Sequence, residues 1–112
     1  MTLTAVLLAA LLLSPGVPKG YPPDADVQVL TEKGEAVGPL ERLRVKGKYT
    51  IFDVYADWCG PCNIVNRRLR EIARERSDVA VRKLNVVDFS SPLGKELGPD
   101  FDSLPYLSLI HI

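Results

Sequence analysis

An α/β domain is the architecture predicted by three features of this sequence. A run dense in β-branched and aromatic residues, Tyr49 to Ala56, precedes an amphipathic stretch from Cys62 to Arg76. A second β-rich run, Val79 to Val87, follows, and a short helical segment leads to a third apolar run at the end of the chain. Strand, helix, strand in that order calls for a right-handed crossover, with helices covering the sheet. The 112 residues suffice for one small domain.

The composition narrows the function. Fourteen Lys+Arg against fourteen Asp+Glu leave no net charge, so the cationic surplus of a general nucleic-acid binder is missing. Two cysteines and one histidine cannot supply the four ligands of a structural zinc site, nor can they staple a disulfide-dense mini-protein.

Taken in order, the chain opens on Ala5 to Leu13, an unbroken apolar run followed by Ser14-Pro15-Gly16. The run is short for a membrane span and matches the apolar part of an export signal. Residues 1–16 are therefore expected to be a signal peptide or short N-terminal anchor, with a buried N-terminal helix as the competing reading. Residues 17–26, carrying Pro18, Pro22 and Pro23, predict an extended tether. Residues 27–112 form the expected folded domain.

Val27 to Thr31 has strand character, and Gly34 supplies a positive-φ turn from which Ala36-Val37 returns, which predicts a hairpin. Gly38-Pro39 breaks that element, and Leu40 to Val45 forms a short turn or helix. Tyr49 to Ala56 predicts a strand buried on both faces at the centre of the sheet. In the next segment Ile64, Val65, Leu69, Ile72 and Ala73 recur at helical spacing. Its five arginines are read as a solvated face, the alternative being a docking patch for an acidic partner. Ser91-Pro92 marks a second helix start. Leu104 to Ile112 predicts a strand whose apolar surface belongs inside a sheet, so the chain is expected to lack something beyond its end.

The chemistry is concentrated in Cys59-Gly60-Pro61-Cys62, between a buried strand and an amphipathic helix. A thiol at a helix N-terminus meets unpaired N–H groups and the positive end of the dipole, both of which favour thiolate. A cysteine one turn later is close enough to form a disulfide. Gly60 removes steric hindrance, and Pro61 presets φ where no N–H is needed. Such a pair can open and close by thiol–disulfide exchange. The competing readings are a static disulfide, a two-thiolate metal site completed by His111, and two inert buried cysteines.

Asp57-Trp58-Cys59-Gly60-Pro61-Cys62, preceded by Tyr49 to Ala56, resembles the active-site segment of the thioredoxin superfamily. The resemblance continues through Arg82 to Val86 and Leu104-Pro105, and covers roughly Val27 to Ile112. It implies a thioredoxin-like fold, a central mixed sheet flanked by helices, with the family's final strand and helix missing after Ile112. It also implies a thiol–disulfide oxidoreductase in which Cys59 is the nucleophile and Cys62 the resolving thiol. Asp53 is then the buried carboxylate that relays a proton, and Lys83 its supporting lysine. Trp58, Gly60, Pro61, Leu104 and Pro105 form the implied substrate-binding surface, with Pro105 following a cis bond and packing on the disulfide. The competing reading for Asp53 is a satisfied structural group.

The Gly-Pro spacer resembles that of reducing members, whose potential lies near about −270 mV. Tyr106 and Tyr55 replace the Thr and Trp usual in cytosolic members. The apparent export segment and the opening Val27 to Gly47 are more like the exported, TlpA-like branch. The resemblance implies no cofactor or metal beyond the dithiol. It implies a monomer acting on protein thiols and disulfides with an upstream thiol reductant, outside the cytoplasm. A redox-idle binding or metal-carrier module on the same fold is the alternative, as is a cytoplasmic location.

Overall fold

The computed structural model describes residues 16–111. The expected export segment, apart from Gly16, lies outside the described residues, as does Ile112. Within the described chain, β1 (Val27–Thr31), β2 (Tyr49–Tyr55), β3 (Val79–Asn85) and β4 (Tyr106–Ile110) form one sheet in the order β1–β3–β2–β4. β1 and β2 run parallel to β3, and β4 runs antiparallel to β2. The sheet is thus mixed, with β2 and β3 inside it. Helix α1 (Gly60–Glu75) crosses from β2 to β3, and α2 (Pro92–Leu97) lies between β3 and β4.

The alternation of side chains along a strand sorts the core into two layers. Phe52, Val54, Ala56, Leu84 and Val86 gather on one face with Leu93 of α2, Phe101 and both cysteines. On the other face Val79 and Val81, with Ile51, meet Leu69, Val65, Ile72 and Ala73 of α1. Asp53 and Lys83, at odd positions like Ile51 and Val81, fall on this second face. That placement brings two charged groups beneath α1.

Ile64 does not share the apolar stripe of α1; it is 65% exposed. The stripe runs Cys62, Val65, Leu69, Ile72, and at 100° per residue Ile64 lies on its shoulder. Ser91 caps α2 as expected, its Oγ accepting from the Gly94 N–H at 3.0 Å, with Pro92 in the first turn.

No hairpin forms at residues 27–37. β1 pairs instead with β3, Val27 standing opposite Val81. Ala36-Val37 is too short to build a ladder before Gly38-Pro39, whereas β3 offers a full parallel partner. Gly34 does take a positive φ of 70°, but its role is a crossing. Its N–H donates to the Asn85 carbonyl, and its own carbonyl accepts from the Leu93 N–H. A Cβ at this position would lie 2.7 Å from the Val86 carbonyl oxygen.

Residues 17–26 lie against the fold. Tyr21 is buried in the layer under α1, and turns closed by Tyr21 N–H to Pro18 O and Ala25 N–H to Pro22 O set the path. At the opposite edge, β4 packs Tyr106 and Ile110 on the α2 side and leaves Leu107 and Leu109 exposed.

Candidate active site

Strand β2 ends at Tyr55, and the chain turns so that the Cys59 N–H donates to the Ala56 carbonyl. Cys59 then caps α1 in an extended conformation, and Gly60 and Pro61 form the first turn. Proline suits that position because the first helical N–H groups have no partner within the helix. The Cys62 N–H donates to Cys59 Sγ at 3.2 Å. An S–S bond joins the two residues, whose Cα atoms lie 5.4 Å apart. On reduction, the same N–H and the helix dipole favour negative charge on Cys59.

Both cysteines are largely buried, and the open side of the site is apolar. Trp58 is 59% exposed, and its Nε1–H donates to the Val87 carbonyl at 2.6 Å. Its ring lies 5.9 Å from that of Phe89, which continues through Phe101 to Tyr106. Val87 holds a φ of 70° in a three-residue turn closed by Asp88 N–H to Val86 O. Leu104 packs against the cluster that contains both cysteines, and the Leu104–Pro105 peptide bond is cis.

Behind the disulfide, Asp53 and Lys83 are register partners across β2 and β3. Lys83 Nζ donates to Asp53 Oδ2 at 2.5 Å, with both side chains nearly excluded from solvent. A cleft of about 180 Å³ reaches this pair and Cys62, lined also by Tyr55, Asp57, Asn63 and Asn66. Water entering it can exchange protons with the buried groups. Burial, with the nearby charges of Asp57, Glu32 and Asp53, pushes the Tyr55 hydroxyl above its ordinary range.

The expected residues Asp53, Cys62 and Lys83 therefore meet at one cleft, and Trp58, Cys59, Gly60 and Pro61 frame the disulfide above it. His111 is remote: it stacks on Tyr49, at the start of β2, with ring centroids 4.0 Å apart. It does not join the cysteines as a metal ligand. Sequence reasoning missed Val87 and Asn66. The second had a signal, since a polar residue four positions after Cys62 interrupts the apolar stripe.

Comparison with known proteins agrees with this geometry. The sequence model of the thioredoxin family matches residues 41–110. Thioredoxin-T of Drosophila melanogaster is 55% identical over 45 residues, a match covering 39% of this chain and 29% of the fly protein. Thioredoxin F2, chloroplastic, of Arabidopsis thaliana is 35% identical over 51 residues, covering 46% of this chain and 28% of the plant protein. The matched stretch thus spans less than a third of either relative. Among solved structures, spinach chloroplast thioredoxin f in its short form has a TM-score of 0.57 at 24% identity, over 77% of this chain and 72% of that one. This likeness concerns the fold. With the family model matched across most of the folded region, the chain belongs to the thioredoxin family.

Proposed function

We propose that this chain is a thiol–disulfide oxidoreductase that reduces protein disulfides through Cys59 and Cys62, outside the cytoplasm. The observation that carries the chemistry is the Cys59–Cys62 bond at the cap of α1, with the Cys62 N–H directed at Cys59 Sγ. The reduced Cys59 thiolate attacks a substrate disulfide, forming a mixed disulfide and releasing one substrate thiolate. Cys62 then passes its proton to Asp53 and attacks Cys59 Sγ. The second substrate thiolate leaves, and the Cys59–Cys62 disulfide forms. Two electrons have moved from the protein to the substrate, and an upstream thiol reductant must return them.

The apolar rim of Trp58, Val87 and Phe89 suits an unfolded or extended protein segment, with the Leu104 backbone available for strand addition. Export is supported by the apolar run at 5–13 and the prolines after it. The exported branch loses one of its supports, because the hairpin at 27–37 does not form.

The test is turnover of insulin disulfides by the purified chain with dithiothreitol as reductant. Catalysis above the uncatalysed rate, abolished by Cys59→Ser, is expected. No turnover, with a metal ion bound stoichiometrically by the reduced protein, would select the carrier reading. For location, residues 1–16 fused to alkaline phosphatase should give activity outside the cytoplasm. A silent reporter would place the protein inside.

A further inference from the structure

The Lys83 ammonium has more partners than an ion pair requires. Besides Asp53 it donates to Asn66 Oδ1 at 3.0 Å, and Nζ lies 4.8 Å from the ring centre of Tyr55 and 5.8 Å from that of Tyr21. The Tyr21 hydroxyl donates to the same Asn66 oxygen at 2.8 Å. That oxygen has two lone pairs, and both are engaged, one by β3 and one by the segment at 17–26. Asn66 lies one turn after Cys62 on α1 and lines the same cleft.

A lysine head on a flexible four-carbon stem is placed only as well as its partners are fixed. Here one acceptor is the carboxylate. The second is an amide held by a tyrosine that is itself buried among Val27, Leu69 and Val81. We infer that Asn66 and Tyr21 are positioning residues for the exchange reaction, holding the Lys83 ammonium on Asp53, so that residues 17–26 tune the proton relay serving Cys62. The inference rests on the oxidoreductase reading and adds to it the residues that set its pH dependence.

The direction follows from charge. Loss of the Cys62 proton leaves negative charge at the cleft that Lys83 also lines, and a well-placed ammonium offsets it, so loosening that ammonium shifts the acid limb of the reaction to higher pH. The groups facing the pair are Tyr55 from β2, Asp57 from the loop after it, Cys62 from α1 and Tyr21, which feels the charge of Arg70; on the other side Lys19, Glu32, Lys33 and Glu35 line a cavity with Tyr55 and Lys83. Glu32 adds its charge near Tyr55. Burial, then the charge of Asp53, keeps the Tyr21 hydroxyl protonated well above the ordinary phenol range. It therefore remains a donor to Asn66 across the working pH range.

The experiment is a single turnover with the full chain. The reduced protein is treated with 5,5′-dithiobis(2-nitrobenzoate), which places thionitrobenzoate on Cys59. Attack by Cys62 then releases the coloured thiolate, followed from pH 5 to 9. Asn66→Ala should shift the acid limb upward by about half a pH unit, slowing release about threefold on that limb. Tyr21→Phe, which keeps the ring and its packing, should shift the limb the same way by a smaller amount. In the double variant Tyr21→Phe should add nothing, because it acts through Asn66.

Profiles that superimpose on the wild type overturn the inference. So does a loss that is uniform at every pH, which assigns both residues to packing. If Asn66→Ala does not fold, Tyr21→Phe alone decides by the same criterion. A wild-type chain that never releases the second thiolate overturns the oxidoreductase reading and this inference with it.

Discussion

Asp53 and Lys83 stand opposite each other in the parallel register of β2 and β3, and their ion pair lies on the face covered by α1. Taking two charges out of water is expensive, and removing one partner leaves the other uncompensated. Lys83→Met should therefore destabilise the chain by about 3 kcal/mol. Asp53→Val combined with Lys83→Met should recover at least half of that loss, because no buried charge remains. Urea midpoints at constant m-value measure both. A double variant no more stable than Lys83→Met would show that the pair is not the source of the cost.

A second carboxylate governs acid stability. Burial by itself would raise the Asp26 carboxyl, but hydrogen bonds and charge from Lys48 and Arg82 outweigh it and hold the group below its ordinary range. Lys48 Nζ lies 3.0 Å and Arg82 Nη1 2.8 Å from its oxygens. A carboxyl lowered in the folded state adds stability above its unfolded pKa of about 3.9. That contribution is lost as pH falls through the lower folded value. Since Asp26 is a quarter exposed, Asp26→Asn should cost only about 1 kcal/mol at pH 7. The gap to wild type should narrow progressively as pH falls below about 4; a gap constant from pH 7 to pH 3 would reject the assignment.

Val87 holds a left-handed backbone beside the disulfide with a β-branched side chain. Such conformations cost about 1–3 kcal/mol in non-glycine residues. Val87 is 42% exposed, so truncation gives up only part of the burial of a valine side chain. Val87→Gly should stabilise the chain by about 1 kcal/mol after the entropy cost of glycine. The same change should loosen the carbonyl that holds Trp58, seen as faster quenching of indole fluorescence by iodide. A destabilised Val87→Gly would show that the turn is unstrained.

Gly94 is required by close backbone approach. A Cβ there would lie 2.4 Å from the Phe89 carbonyl oxygen, and neither backbone can yield without moving α2. Gly94→Ala should therefore destabilise by about 1–3 kcal/mol, read from thermal unfolding. Gly60, with open space around its Cα, serves as the control, and Gly60→Ala should change stability far less.

Much of the site could be read along the chain because its parts are adjacent in sequence. Trp58, Cys59, Gly60, Pro61 and Cys62 depend on one strand end and one helix start, and the local rules for caps and prolines describe both. Asp53 and Lys83 are thirty residues apart, and their meeting was implied by family resemblance alone. The parallel register then places them side by side. Ile64 fits helical spacing and still lies off the buried stripe, because a loose spacing rule also admits an apolar residue next to it. The hairpin expected at 27–37 fails for a different reason: a turn glycine and two strand-like segments signal it locally, and only the competing partner β3 removes it.

The order of strands and helices, the central position of β2, the capped dithiol and the start of α2 were determined by the amino-acid sequence, through residue pattern and short-range sterics. The tertiary structure alone decided that β1 joins β3, that Tyr21 is drawn under α1, that Asn66 reaches Lys83, and that Val87 bends to receive Trp58. Each of these depends on contacts between residues distant in the chain. Local propensity carries no information about which partner wins such a contact, because the outcome depends on what the completed sheet leaves open.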